Sequence, residues 1–163
     1  MASEAYMDEQ KMRWKFIIPP LLVWTSAIII AIFDFAYVQG MAYVFDLPES
    51  IGLVVVFVGF SVRKAAKKTL GNFLSNGVNS LRKHKLVRHG MYRHIRHPMY
   101  LGAILLNLGA FLLLSTYGFL VMLGFIPCVL YRIRIEEKAL VAKFGKEYRD
   151  YMMQTKKIIP FFY

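Results

Sequence analysis

The sequence predicts an all-α integral membrane protein, a small bundle of about four transmembrane helices with a helical cytosolic cap. Hydrophobic residues make up 57% of the 163-residue chain, more than an ordinary soluble domain contains. The 21 Lys and Arg residues are confined to positions 11–15, 63–96 and 132–157. Long apolar runs separate these three basic blocks, which is the pattern of a protein that crosses the membrane several times.

The distribution of charge predicts the orientation of the chain. The segments between the basic blocks carry only acids or no charge: Gln39–Ser50 contains Asp46 and Glu49, and Ser115–Gly118 contains neither sign. Lys and Arg are enriched in cytoplasmic loops, so we predict that both termini and the long central segment, residues 71–98, are cytoplasmic. Attraction to anionic headgroups accounts for the net charge of +11. We therefore expect membrane lipids, and no nucleic acid, among the partners.

Residues 1–70 are predicted to form the N-terminal membrane spans, beginning with Phe16–Val38. This run carries a single charge, Asp34, over 23 residues, and as a helix it would be about 34 Å long, enough to cross a bilayer. Pro19 and Pro20 would lie in its first turn, where proline is tolerated. Asp34 would be solvated near the outer interface.

A second helix is predicted to start near Ser50, with the serine as its N-cap. Its apolar part, Ile51–Val62, is short for a crossing. The helix would continue through the lysines that follow Arg63, whose long stems can reach the membrane surface. Leu70-Gly71-Asn72 would end it.

Residues 71–163 are predicted to form the functional core: a loop, a transmembrane hairpin and a C-terminal amphipathic helix. The loop, 71–98, contains glycines and asparagines that break regular elements, together with enough apolar residues to favour a folded cap. The hairpin consists of the apolar runs Leu101–Leu114 and Phe119–Leu130. An amphipathic helix is expected after Glu137.

Two charged signatures flank the hairpin and define the candidate site. The first signature is Arg96-His97-Pro98-Met99-Tyr100, and the second is residues 132–137, Arg-Ile-Arg-Ile-Glu-Glu. Because a hairpin returns the chain to its starting side, the two signatures are predicted to be neighbours. Charges beside a membrane interior are costly and usually functional. They predict a cytoplasm-facing pocket, open to lipid, for a ligand that carries both charge signs.

Helical geometry assigns directions to these side chains. Arg132 and Glu136 are four residues apart and share a helix face, whereas Glu137 points about 100° away. Pro98 suits the first turn of a helix, which puts His97 beside a helix N-terminus that favours anionic groups. The alternative, which gives these residues no function, is an ion pair between Arg132 and Glu136 within the helix, solvated at the membrane interface.

Metal binding is not expected. The four histidines, at positions 84, 89, 94 and 97, are irregularly spaced, and no Cys, Asp or Glu lies near them. The single cysteine, Cys128, rules out an intrachain disulfide and lies in an apolar run, as an inert buried thiol would.

The C-terminal half resembles the isoprenylcysteine carboxyl methyltransferases and the related phospholipid methyltransferases. The shared motifs occur in the same order and spacing over somewhat more than half of the chain, while residues 1–46 match only as a membrane span. The N-terminal part is shorter than in eukaryotic members, which leaves the lipid substrate open. The matching residues are Leu70-Gly71-Asn72, His84-Lys85-Leu86-Val87, Gly90, Tyr92, the first signature, Arg132, Glu136-Glu137, Phe144-Gly145-Lys146-Glu147-Tyr148 and Pro160.

The resemblance implies an S-adenosyl-L-methionine-dependent methyltransferase with its cofactor bound between the two signatures. It assigns Arg132 to the substrate and implies that Arg132 and Glu136 are the catalytic residues. The implied acceptor is a lipid-like small molecule or a prenylated peptide, in the first instance an isoprenylcysteine methylated on its carboxyl oxygen. The implied cofactor-binding residues are His84, Lys85, Leu86, Val87, Tyr92, His97, Pro98, Met99, Tyr100, Glu136 and, through the phospholipid branch, Glu137.

Three alternatives remain open at the level of sequence. The acceptor would be the amine of phosphatidylethanolamine if Glu137 helped to remove its proton. A sterol-type reductase would bind NADPH on the same side, although no dinucleotide fingerprint is present. A non-enzymatic lipid-binding protein would explain the basic cytosolic face by headgroup attraction, but not an arginine and two acids opposite the first signature.

Overall fold

A computed structural model of the chain describes residues 2–38, 45–71 and 86–159, with side chains from Ile17 onward except that of Thr116. Most of these residues are helical, and the predicted all-α class is confirmed. A π-helical turn, Asp34–Val38, extends the first helix, and a 3-10 turn, Gly90–Arg93, precedes the third. The helices are α1 (Ala2–Phe33), α2 (Leu47–Leu70), α3 (Pro98–Leu114), α4 (Thr116–Met122), α5 (Phe125–Phe144) and α6 (Lys146–Gln154).

Two stretches of the described chain are long and apolar enough to cross a membrane. They are Ile17–Val38, of 22 residues, and Tyr117–Phe144, of 28 residues. The helix Pro98–Leu114 is apolar but shorter. The predicted number of about four spans, and the predicted division of the chain at residue 70, stay predictions.

Several helix boundaries lie where the local sequence predicts them. Pro98 opens α3, and α2 ends at Leu70. Gly71, which follows, has a φ of 51°, the left-handed conformation in which helices commonly end. Ser115 caps α4, since its Oγ accepts a hydrogen bond from the backbone N–H of Gly118 at 3.0 Å.

The starts of the first two helices differ from the prediction. Because α1 begins at Ala2 rather than at Phe16, Pro19 and Pro20 lie inside the helix and not in its first turn. Helix α2 begins at Leu47, so Ser50 is not its N-cap. Glu49 Oε2 instead accepts the backbone N–H of Asp46 at 3.0 Å, which is half of a capping box.

The second signature lies inside a helix and not at the end of one. Helix α5 runs without interruption from Phe125 to Phe144. The amphipathic helix expected after Glu137 is therefore divided between the end of α5 and α6. Gly145 separates the two helices. Its φ of 56° is a backbone conformation that residues with a side chain rarely adopt, which accounts for glycine at this break.

The residues pack as two units. The first unit comprises Met1–Val54 and Asn107–Arg132, and the second comprises Val55–Leu106 and Ile133–Tyr163. The core of the first unit contains Ala27, Phe111 and Met122. Trp24 packs edge-on against Phe111, with ring centroids 5.7 Å apart, and its Nε1 donates to Asn107 Oδ1 at 3.0 Å.

Asp34 is buried, and the prediction that it is solvated was wrong. Its side chain is 4% exposed, and its Oδ2 accepts a hydrogen bond from Ser115 Oγ at 2.6 Å. The serine hydroxyl donates to Asp34 while it accepts from Gly118, so one oxygen satisfies two polar groups. A buried carboxylate needs such a partner, and local sequence could not identify one 81 positions away.

Helices α2 and α3 approach each other through glycines. In the second unit, a Cβ on Gly59 would lie 2.7 Å from Leu106 N, and one on Gly102 would lie 2.9 Å from Arg63 N. In the first unit, a Cβ on Gly52 would be equally close to the backbone of α3. Backbone therefore packs on backbone, the arrangement by which small residues hold membrane helices together.

We predict that Gly59→Leu destabilises the protein and that Ala65→Leu does not. Leucine at 59 must displace the α3 backbone, and overpacking of this kind typically costs roughly 1–3 kcal/mol. This outweighs the gain of about 1 kcal/mol in helix propensity when glycine is replaced. Ala65 lies on the exposed side of the same helix. Thermal unfolding in detergent, followed by circular dichroism, measures both; equal melting temperatures would contradict the close packing.

Candidate functional site

The two charged signatures are in contact, as the hairpin predicted. In the first turn of α3, the Tyr100 hydroxyl donates to Glu136 Oε2 at 2.8 Å. Arg96 Nε donates to Glu137 Oε1 at 2.9 Å, and His97 Nε2 lies 3.3 Å from the same oxygen. The candidate site is therefore formed where the start of α3 meets α5 within the second unit.

The two adjacent acids have different surroundings. Glu136 is exposed, whereas Glu137 is 6% exposed and its Oε2 lies 3.5 Å from Lys157 Nζ. Neighbouring residues on a helix point about 100° apart, so one acid faces outward while the other is enclosed. Because a buried charge is tolerated only when it is paired and hydrogen-bonded, the cations around Glu137 are what permit its burial.

A segment that follows α6 completes the site, and the sequence analysis missed it. We call residues 155–158 the C-terminal segment. Its backbone pairs with the first signature: Arg96 N–H donates to Lys156 O at 2.8 Å, and His97 N–H donates to Lys157 O at 3.1 Å. Two signals in the sequence point to this segment: the apolar pair Ile158-Ile159 after a polar helix, and Pro160 among the residues shared with the family. Ile158 is buried.

Arg96 joins this segment to the end of α6. Its Nη1 donates to the carbonyl oxygens of Met152, at 3.0 Å, and Thr155. The last carbonyls of a helix have no partner within the helix, and a cationic donor is favourable there. The Arg96 guanidinium thus connects Glu137 on α5 with the C-terminal end of α6. A lysine, which is shorter and has a single charged nitrogen, cannot make both contacts.

Three tyrosines pack beneath these contacts. Tyr92, Tyr148 and Tyr151 are buried, and the Tyr151 hydroxyl donates to the backbone oxygen of Tyr92 at 2.6 Å. Burial raises the pKa of Tyr151 to about 12 and raises the pKa values of Tyr92 and Tyr148 further above their usual range. At physiological pH all three are neutral, so they supply apolar bulk and hydrogen bonds without charge.

The sequence-predicted site residues fall into groups of different exposure. Arg132 is exposed on α5, one turn before Glu136. His84 and Lys85 lie outside the described residues. Of the others, Tyr92, His97, Pro98 and Glu137 are buried, Leu86, Val87, Met99 and Tyr100 are half-buried, and Glu136 is exposed.

The contact between the signatures leaves polar groups at an exposed edge. Glu136 and Tyr100 present a carboxylate and a phenol there, and Met99, next to Tyr100 in the chain, is half-buried. Within residues 2–38, 45–71 and 86–159 no group of three or more His, Cys, Asp or Glu side chains could hold a metal ion. The carboxylate and the phenol are suited to a ligand with ammonium or hydroxyl groups.

The fold and the site define an all-helical membrane protein with a charged site at the start of an apolar helix. A family model described as the isoprenylcysteine carboxyl methyltransferase (ICMT) family matches residues 50–142. The chain belongs to this family, and the resemblance identified in the sequence is confirmed. Helix α6 and the C-terminal segment lie beyond the matched residues.

Curated relatives agree with this assignment. The chain is 36% identical over 118 residues to a probable protein-S-isoprenylcysteine O-methyltransferase of Oryza sativa subsp. indica, a match that covers 68% of this chain and 60% of the relative. It is 36% identical over 115 residues to the protein-S-isoprenylcysteine O-methyltransferase of Saccharomyces cerevisiae, which covers 68% of this chain and 48% of the relative. The chain thus spans about half to three-fifths of the length of these relatives.

A solved structure has the same fold. The eukaryotic intramembrane Ras methyltransferase ICMT matches with a TM-score of 0.69 and 31% sequence identity, over 86% of this chain and 52% of that one. Together with the two apolar stretches long enough to cross a membrane, this match identifies the chain as an integral membrane protein.

The buried tyrosines predict a loss of stability at high pH. The pKa of Tyr151 is about 12 in the folded protein against a usual value of 10, so folding favours the neutral form. The stabilisation is complete below about pH 10 and is lost as the pH rises toward about 12. Thermal unfolding in detergent across this range measures it.

Tyr151→Phe is expected to flatten this alkaline decline, since phenylalanine does not titrate. It also leaves the Tyr92 carbonyl unpaired, which lowers stability at neutral pH by about 1–3 kcal/mol. Tyr117→Phe, at a side chain that is 53% exposed, is the control and is expected to behave as wild type. An unchanged alkaline profile in Tyr151→Phe would show that the tyrosine is not the titrating group.

Proposed function

We propose that the chain is an integral-membrane methyltransferase that uses S-adenosyl-L-methionine to O-methylate the carboxyl group of an isoprenylcysteine or a similar lipid-like acceptor. The observation that carries the proposal is the hydrogen bond between Tyr100 and Glu136, which joins the two signatures in a chain of this family. The names of the matched relatives support O-methylation as the reaction.

The residues at the site fit the proposed cofactor. S-adenosyl-L-methionine has an ammonium group, ribose hydroxyls and a flat base, and it supplies an activated methyl group when bound. The exposed carboxylate of Glu136 suits the ammonium or the hydroxyls, and the half-buried Leu86, Val87 and Met99 suit the base. The family resemblance also implies His84 and Lys85 as cofactor-binding residues.

Arg132 is the proposed substrate-binding residue. It is exposed, and its guanidinium can bind a carboxylate through two parallel hydrogen bonds. Such a contact orients the acceptor, but it must not stabilise the attacking oxygen more than the transition state, because the barrier would then rise. We therefore assign Arg132 to positioning the acceptor and Glu136 to positioning the cofactor.

Catalysis in this proposal consists mainly of alignment. Direct displacement at a methyl carbon needs no covalent enzyme intermediate, so the protein contributes by holding two reactants in line and excluding water. The apolar acceptor chain would enter from the bilayer, and the cofactor from the cytosol. We propose that both termini and the site are cytoplasmic, and that residues 71–163 contain the cofactor-binding core.

The alternatives are less well supported. Methylation of a phosphatidylethanolamine amine required Glu137 to accept a proton, yet its carboxylate is enclosed by Arg96, His97 and Lys157. A sterol-type reductase would require a nicotinamide cofactor, and the matched relatives are named as O-methyltransferases.

We predict that Glu136→Ala abolishes measurable binding of S-adenosyl-L-methionine. The variant removes the exposed acid and the partner of the Tyr100 hydroxyl, whereas Asp150→Ala, at an acid on α6 outside the motifs shared with the family, is expected to bind as wild type. Isothermal titration calorimetry of the detergent-solubilised protein measures both affinities. Unchanged affinity in Glu136→Ala would remove the main support for the proposed site.

Arg132→Ala is expected to lower kcat/KM for a prenylcysteine acceptor by about 10- to 100-fold, the usual loss for a charge-assisted hydrogen bond. Cofactor affinity should not change. Arg134→Ala is the matched control, because Arg134 is exposed on the same helix but points about 200° away. Labelled cofactor and panels of prenylcysteines and phospholipids identify the product; methyl transfer to phospholipid alone would contradict the proposed acceptor.

A further inference from the structure

We propose that Glu137 is a positioning residue: it holds the first signature against the C-terminal segment, and through His97 it sets the place at which Tyr100 meets Glu136. The two adjacent acids then have separate duties, Glu136 toward the cofactor and Glu137 toward the protein. This inference rests on the proposed function, since it concerns how the same site is kept in a binding geometry.

The carboxylate of Glu137 already has partners on both oxygens. Oε1 accepts from Arg96 Nε at 2.9 Å and lies 3.3 Å from His97 Nε2, and Oε2 lies 3.5 Å from Lys157 Nζ. The side chains of Glu137 and Arg96 are each 8% exposed. An acid enclosed in this way is a poor ligand for a molecule that arrives from solvent, and it is well placed to fix the groups around it.

Glu137 connects three segments that are distant in sequence. It lies on α5, its partner Arg96 belongs to the first signature, and Lys157 belongs to the C-terminal segment. The backbone pairing between the last two segments is short, with Lys156 donating to His94 O at 3.0 Å in addition to the two bonds already described. So short a pairing is weak by itself, and the ionic contacts at Glu137 reinforce it together with the Arg96 bond to Thr155 O and the burial of Ile158.

The contacts of Glu137 are connected through His97 to the exposed edge of the site. The carbonyl oxygen of His97 accepts the N–H groups of Tyr100 and Leu101, both at 3.1 Å, so His97 forms the first turn of α3. Its ring lies 5.7 Å from that of Tyr100, whose hydroxyl donates to Glu136. A closed path thus runs from Glu137 through His97 and Tyr100 to Glu136 and back along α5.

The test uses Glu137→Gln, which keeps the shape of the side chain and removes its charge. We expect the dissociation constant for S-adenosyl-L-methionine to rise about 10-fold, the usual size of an effect from a group behind a binding residue. Turnover at saturating cofactor should change much less, because the reacting groups remain. Asp150→Asn is the control, at an acid on α6 outside the motifs shared with the family.

A second readout does not depend on activity. In protein with ¹⁵N-labelled histidine and no added cofactor, the Nε2 signal of His97, assigned through its loss in His97→Gln, should shift in Glu137→Gln and not in Asp150→Asn. An unchanged His97 signal would overturn the proposal. So would a complete loss of cofactor binding equal to that of Glu136→Ala, which would make Glu137 a direct ligand.

The two lysines of the C-terminal segment give a milder variant with a matched control. Both make backbone contacts, but Lys157 Nζ faces Glu137, whereas the Lys156 side chain is exposed. If Glu137→Gln does not fold, Lys157→Met should still shift the His97 signal relative to Lys156→Met; identical spectra would overturn the proposal. A His97 shift in a protein that never binds the cofactor would refute the proposed function while supporting the positioning contact.

Discussion

The arrangement of the site depends on one buried carboxylate. Removing Glu137 from water is costly, and the cost is offset only because Arg96, His97 and Lys157 surround it. The same contacts bring together α5, the start of α3 and the segment after α6. Breaking a buried pair by removing one partner typically costs about 3–5 kcal/mol, which is a large fraction of the stability of a small domain. The site and the fold of the second unit are therefore held by the same interaction.

The split between the two acids explains how a charged site can exist beside an apolar helix. Two neighbouring carboxylates facing the same space would repel each other and resist ionisation. Here the rotation between neighbouring residues of the helix points Glu137 toward a group of cations. Glu136 stays at the exposed edge beside Tyr100. The cations thus pair with Glu137, while Glu136 stays at the exposed edge, where a ligand can reach it.

The sequence predicted the elements whose causes are local. Proline at the start of α3 and glycine after α2 determine helix boundaries through their own backbone preferences. The contact between the signatures was also predictable, because a hairpin returns the chain to its starting side. The family resemblance added residue roles, such as that of Arg132, which no pattern of spacing could supply.

Features that depend on distant partners were not predictable in this way. The burial of Asp34 requires Ser115, and the place of the C-terminal segment requires backbone contacts with residues about 60 positions earlier. Neither partner leaves a periodic signal. The continuity of α5 through the second signature is a related case, because it depends on the contacts that Glu137 makes with distant residues.

The glycine contact between α2 and α3 has a positional consequence. At Gly59 and Gly102 the helices touch backbone to backbone, so a larger side chain at either position would have to push α2 and α3 apart. Because α3 starts at Pro98, about one turn before Gly102, the same contact also fixes where the first signature stands along α2.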